Sequence, residues 1–187
     1  MNMARALFVL MLAVPGLVLA QRAPTIDGRV AAGEYTKTFK HDKSGMTISW
    51  SIVGDTLYMA LQIDSPGWIG IAMMAEKDDK KKGADTYIFT MDGGKFTALD
   101  MIQVKRTGKP ADDTEEGGKN SILQSAGTYV GKTWTVEFSR KLKTGEATDM
   151  DITAGQKFIF MIAEGPEMAI KEEHKKSERW YIENFSF

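Results

Sequence analysis

The sequence predicts a single all-β sandwich domain. Three observations point to it: apolar and polar residues alternate with period 2 in one segment after another, the segments are short and closed by glycine-rich turns, and one continuous apolar run is too short for a helix. Met46, Ile48, Trp50 and Ile52 alternate with Thr47, Ser49 and Ser51, the pattern of a strand with one buried face. Gly54-Asp55 carries hairpin-turn chemistry. Leu57, Met59, Leu61 and Ile63 then alternate with Tyr58, Ala60 and Gln62. Pro66-Gly67 breaks the chain before a strand from Trp68 to Met73, and the charged stretch 76–82 reads as a loop. Thr86 to Met91 and Phe96 to Val104 are strands on either side of an Asp92-Gly93-Gly94 turn. Residues 105–120 read as one long polar loop. Thr128 to Ser139 is two strands or one bent strand, with Trp134, Val136 and Phe138 on one face. A polar connection over 141–156 leads to Phe158–Ala163, the continuous apolar run, which reads as a buried strand. Residues 164–179 are polar and partly helical in expectation, and Trp180 to Phe187 is the last strand. Eight or nine strands without internal repeat or linker make one sandwich or barrel.

The first 20 residues have a separate character. Arg5 precedes an apolar run from Ala6 to Ala20, interrupted by Pro15 and Gly16 and ending Val18-Leu19-Ala20. This is the pattern of a secretory signal peptide cut before Gln21. An uncut membrane anchor is the alternative, but the run is short for a span and is broken by its proline and glycine. Residues 21–187 are then the mature domain, exported to the periplasm or the extracellular space.

The formal net charge is −1 over 187 residues, and cleavage of the leader takes it to −2. Near-neutral charge implies no broad attraction to nucleic acid or to a membrane surface. The chain has no cysteine. That excludes a thiol nucleophile, a thiolate metal site, an iron–sulfur cluster and covalently attached c-type haem. Hydrolase and nucleotide motifs are missing as well: no Gly-x-Ser-x-Gly elbow, no His-Glu-x-x-His, no P-loop and no Gly-x-Gly-x-x-Gly occurs. Paired carboxylates at Asp78-Asp79, Asp112-Asp113, Glu115-Glu116 and Glu172-Glu173 lie in polar segments and read as solvated surface. Asp112, Asp113 and Glu115 offer oxygens for calcium, without EF-hand spacing. The mature chain has two histidines, His41 and His174, each among charged neighbours. There are 12 methionines, of which Met1, Met3 and Met11 belong to the leader. Methionine is first a filler of irregular cores, and second an axial ligand for haem iron opposite histidine.

Three segments together resemble the DOMON domain family. Gly67-Trp68-Ile69-Gly70-Ile71-Ala72, followed by Lys82-Gly83-Ala84-Asp85, is similar to the family's Gly-Trp-x-Gly strand and its Met-x-Gly-Ala-Asp loop. Thr135 to Glu146 contains Phe138-Ser139-Arg140-Lys141-Leu142-Lys143-Thr144-Gly145, similar to the family's Phe-Ser-Arg-x-Leu-x-Thr-Gly-Asp block with Glu146 in place of the aspartate. Phe160 to Gly165, then His174 and Arg179, resembles the closing strand and tail of the bacterial haem-binding branch.

The resemblance implies an immunoglobulin-like β-sandwich with a ligand pocket at one end. It implies a non-covalent haem b and a role in electron transfer, with a redox partner protein or a membrane cytochrome as partner. It carries over His174 as an axial iron ligand. For the second ligand, the family's methionine position is Lys81 here. Lys81 itself, or Met74 or Met73 from the preceding strand, are the candidates. Trp68, Ile71, Met73, Phe160 and Ile162 are the expected apolar walls, and Arg179 the expected partner of a propionate. The alternative within the same fold is a non-catalytic module that binds a carbohydrate or another small ligand. Both readings are of a binding or relay domain, not a catalyst.

Overall fold

In the computed structural model, residues 22–75 and 81–187 are described. The leader and cleavage site lie outside the described residues, as do residues 76–80 of the charged loop. Eleven strands form two antiparallel sheets. The first sheet has the order β1-β2-β3-β9-β8, from β1 (Lys37–Lys40), β2 (Thr47–Val53), β3 (Thr56–Asp64), β8 (Ile122–Val130) and β9 (Thr133–Lys141). The second has the order β11-β10-β4-β5-β6-β7, from β4 (Ile69–Ala75), β5 (Asp85–Asp92), β6 (Lys95–Ile102), β7 (Ala111–Asp112), β10 (Phe158–Glu164) and β11 (Arg179–Phe185). Among the described residues no helix is long and apolar enough to cross a membrane.

The core lies between the sheets, where the period-2 residues place it. Ile48 and Trp50 of β2, Leu57, Met59 and Leu61 of β3, and Trp134, Val136 and Phe138 of β9 pack against Ile69, Ile71 and Met73 of β4, Tyr87 and Phe89 of β5, and Phe158, Phe160 and Ile162 of β10. Each such side chain contributes about 1.5–3 kcal/mol through removal from water. The expected one or two strands at 128–139 are two, β8 and β9, joined at Gly131, whose φ of +68° suits glycine. β8 begins six residues earlier than its apolar pattern suggests, because Ile122–Gly127 is an edge held by backbone pairing to β9 and needs no buried face. β1 and β7 were not anticipated for the same reason: Lys37-Thr38-Phe39-Lys40 and Ala111-Asp112 are edge segments with little apolar content. The segment 164–179 holds one 3₁₀ turn at Lys176–Glu178 and no α-helix.

Two polar anchors attach the chain outside the strands. Glu137 of β9 points away from the core yet is fully buried, because residues 27–35 cross over it. Its Oε2 accepts from the backbone N–H of Gly28 at 2.8 Å and of Asp27 and Arg29 at 3.1 Å, and its Oε1 accepts from Tyr35 Oη at 2.7 Å. Burial, then the hydrogen bond to Glu137, holds the Tyr35 phenol far above its ordinary range. At the second anchor, residues 165–167 run beside 67–68: Gly165 N–H donates to Trp68 O at 2.7 Å and Trp68 N–H to Glu167 O at 3.0 Å. A Cβ on Gly165 would stand 2.1 Å from Trp68 Nε1, so only glycine admits the indole there.

Replacing Glu137 by alanine strands three donors, Asp27 N–H, Gly28 N–H and Tyr35 Oη, and leaves Arg29 N–H with Asp27 Oδ1 alone. It is expected to cost about 2–4 kcal/mol in denaturant melts and to free residues 22–36 to amide exchange. An unchanged midpoint would show that this strap carries no stability. Gly165→Ala is expected to displace the Trp68 ring, seen as a shift in tryptophan fluorescence; an identical spectrum would count against the close contact.

Candidate functional site

β4 is apolar on both faces, and its two faces differ in size. Ile69, Ile71 and Met73 face the core, whereas Gly70 and Ala72 face outward. Register carries this across the sheet: Gly70 pairs with Ile88 and Ala163, Ala72 with Thr86 and Met161, and Thr86 with Met101. The outer face of a sandwich sheet is normally polar, since it meets water. Here it is a shallow apolar floor with small residues at its centre.

Two loops roof this floor. The loop after β6 is tied by Gln103, whose buried amide Nε2 donates to Lys105 O at 2.9 Å and Gly108 O at 3.2 Å. The segment after β10 is tied to it by Lys109 Nζ, which donates to Lys171 O at 3.0 Å. Between floor and loops is a cavity of about 290 Å³, at the lower edge of small-molecule pockets. Its apolar lining includes Ala72, Ala84, Ile88, Met101, Met161 and Ala163; Lys81, Lys109, His174, Arg179, Glu172 and Glu173 supply the polar groups.

His174 is half-buried at the cavity, with its ring edge-on to Trp68 at 6.5 Å between centroids. Its Nδ1 lies 3.1 Å from Lys175 O. A carbonyl can only accept, so the proton is on Nδ1 and the Nε2 lone pair is free. Burial is the main cause that lowers the His174 pKa, and the charges of Lys81 and Arg179 add to it. The ring is therefore neutral at neutral pH, the state a metal requires. A backbone carbonyl holding the other ring nitrogen is also how metal-binding histidines are oriented.

Lys81 stands at the head of a tight turn in which Ala84 N–H donates to Lys81 O at 2.9 Å. Its φ of +90° is unusual for a residue with a Cβ, and such strain concentrates at functional positions. Burial lowers its pKa, with help from the Arg179 charge, so its neutral amine is more accessible than that of a surface lysine. Two buried donors face no partner: Trp68 Nε1 and Arg179 Nε. The Arg179 guanidinium carbon lies 5.3 Å from the centre of the Tyr181 ring.

Of the residues singled out from sequence, the fold brings Trp68, Ile71, Ile162, Arg179, His174 and Lys81 to the cavity. The Ile71 and Ile162 side chains belong to the core and only border it. Met73 and Phe160 are wholly in the core and are not lining residues, because they occupy inward positions in β4 and β10. Met74 faces outward, but is closed into a small cluster with Ala72, Ala84, Met161 and Ile159, one residue removed from the wall. His41 lies elsewhere, in a turn where its Nδ1 is 2.9 Å from Ser44 Oγ. Met101, Met161, Gln103 and Lys109 were not foreseen. The signal that could have found the floor is the alternation of large and small residues in Ile69-Gly70-Ile71-Ala72, where alternation of polarity is absent.

The arrangement suits a flat apolar ligand with anionic substituents. Small side chains leave a flat bed, a neutral imidazole and a depressed lysine offer metal ligands, and an unpartnered arginine N–H and an indole N–H await acceptors.

Two solved structures share this architecture. The cytochrome b domain of pyranose dehydrogenase from Coprinopsis cinerea superposes with a TM-score of 0.50 at 14% identity, covering 78% of this chain and 80% of that one. The cytochrome domain of Myriococcum thermophilum cellobiose dehydrogenase superposes with a TM-score of 0.52 at 11% identity, covering 79% of this chain and 87% of that one. At such identities the likeness is one of fold. No curated protein matches the chain. The family model of the DOMON domain matches residues 42–165, from the β1–β2 turn to the glycine that admits Trp68. The chain belongs to the DOMON domain family.

Proposed function

We propose that this protein is an exported b-type cytochrome domain that exchanges single electrons with a redox partner. The observation that carries the reading is the His174 ring, neutral and fixed through Nδ1, at an apolar cavity on the outer face of the second sheet. His174, through Nε2, and Lys81 would hold the haem iron. Lys81 lines the cavity, whereas Met74 and Met73 do not. The floor of Gly70, Ala72, Ala84 and Ala163 would bed the macrocycle, and Arg179 Nε would meet a propionate. Haem held in this way supplies one-electron redox chemistry, with a potential tuned by its ligands and by burial. The chain's own residues position it and keep water from its faces.

The carbohydrate alternative draws less support from the side chains. A sugar platform needs exposed aromatic faces; Trp50, Trp68 and Trp134 are buried, and the exposed Tyr181 ring is covered by the Arg179 guanidinium at 5.3 Å. Export agrees with the leader pattern of residues 1–20. The relay partner is a protein with its own redox centre.

Haem added to the purified protein is expected to give a Soret band near about 410–430 nm and a six-coordinate spectrum. A chain that stays colourless with excess haem ends the cytochrome reading. His174→Ala is expected to remove the band, and an unaltered spectrum would move the ligand elsewhere. Lys81→Ala is expected to leave haem bound but five-coordinate. If it changes nothing while Met74→Leu, Met101→Leu or Met161→Leu does, the second ligand is a thioether.

Haem binding should also depend on pH with a definite sign. Burial lowers the His174 pKa below 6.5, so the ring stays neutral and able to ligate at neutral pH. Affinity is expected to hold from pH 8 to about 6.5 and to fall only below that, as the ring protonates. In Lys81→Ala, where lysine protonation plays no part, a loss that begins above pH 7 would contradict this assignment.

A further inference from the structure

A second cluster of polar groups lies on the other face of the strands that floor the cavity. Asp85 of β5 and Asp100 of β6 point inward, opposite to their neighbours Thr86 and Met101. With Asp149 from the connection after β9, they bring one carboxylate oxygen each to within 4.8 Å of one another. Among the described residues this is the one group of three or more such ligands so placed. Asp113, at the head of the 3₁₀ turn Asp113–Glu116, adds a fourth carboxylate that feels the charges of Asp149 and Arg140.

The positive charge in this cluster is a single guanidinium. Arg140 Nη1 pairs with Asp85 Oδ2 and donates to Tyr87 Oη at 2.9 Å; Nη2 donates to Met150 O at 2.9 Å. Asp85 Oδ2 also accepts from Met150 N–H at 2.9 Å, and Asp100 Oδ2 from Ser121 N–H at 2.5 Å and Ser121 Oγ at 2.7 Å. These bonds use one oxygen of each carboxylate. The others make none to the rest of the fold: Asp85 Oδ1, Asp100 Oδ1 and both oxygens of Asp149 are buried without a partner, and Asp113 and Thr148 Oγ1 have only one another. Asp85 is 0% exposed, Asp113 1%, Asp100 2% and Thr148 6%. Native interiors rarely leave even one such atom unpaired, and unpaired buried charge is more costly than an unpaired neutral group.

We propose that Asp85, Asp100, Asp113 and Asp149, with Thr148 Oγ1, form a buried site for one Ca²⁺ ion. Every donor is a hard oxygen, which selects Ca²⁺ or Mg²⁺ over the transition metals. Ca²⁺–oxygen distances of about 2.3–2.6 Å put opposed ligands about 4.6–5.2 Å apart, at the scale of this group. Mg²⁺ keeps several of its waters, and a site walled by Tyr87, Arg140 and the 3₁₀ turn favours the ion that sheds them. Burial pushes Asp85 up to about 6 against the opposing Arg140 charge, and Asp100 up to about 7 against its Ser121 hydrogen bonds. The ion would restore these groups to carboxylates and join β5, β6, the 3₁₀ turn and the connection after β9 at one point. The site differs from the sequence-based set of Asp112, Asp113 and Glu115. Asp112 is spent capping the 3₁₀ turn, accepting from Thr114 N–H at 2.9 Å, and Glu115 is exposed.

The test is independent of haem. The purified protein is assayed for metal by mass spectrometry, stripped with EDTA and titrated with CaCl₂ or MgCl₂ by calorimetry and thermal melting. We expect one calcium per chain and a Tm raised by about 5 °C at millimolar Ca²⁺, with little response to Mg²⁺. Asp113→Asn and Asp149→Asn should abolish the calcium-dependent rise, whereas Glu115→Gln, exposed on the same turn, should retain it. If either Asn variant does not fold, the wild-type titration decides alone. A stripped protein that neither binds calcium nor changes its Tm overturns the site, and equal responses to the two ions overturn its assignment to calcium.

Discussion

β4 has no polar face, and the rest of the molecule is arranged around that constraint. A sheet with one apolar face can rest on a partner sheet and present its other face to water. A sheet that is apolar on both sides must be covered twice. The five-stranded sheet covers one face with large side chains, and the loops after β6 and β10 cover the other. Because the outer residues are small, the loops cannot close down onto them, and a cavity remains. The site is therefore a consequence of how this sheet is clothed.

The same strands divide the chemistry by residue parity. Successive residues of β5 and β6 point to opposite sides, so Thr86 and Met101 face the cavity while Asp85 and Asp100 face the carboxylate cluster. A change on one side is felt on the other through a single backbone position. Arg140 links the two sheets across this arrangement, since it leaves β9 and meets Asp85 and Tyr87 on β5.

A domain without cysteine has no disulfide to draw on, and relies instead on a core of twenty buried residues that spans both sheets. Polar anchors then fix the parts that the core does not reach. Glu137 holds the N-terminal strap, and Gln103 and Lys109 hold the cavity roof.

The amino-acid pattern alone determined the fold class and most strand centres, because period-2 burial and family motifs are local in sequence, and the family motifs singled out His174 as a candidate. It also placed Lys81 beside the cavity, by position in the Gly-Ala-Asp loop. It did not reveal β1, β7 or the early start of β8, since edge strands are held by backbone pairing and carry little apolar signal. Nor could it separate Met74 from Met73, or Phe160 from Met161. Each pair is adjacent in the chain and opposite in space, and one step of register decides which side chain meets the core. Tertiary structure alone brought Asp85, Asp100, Asp113 and Asp149 together from four separate segments. No local pattern records that meeting, because it arises from how the two sheets stack and where the connections between them cross.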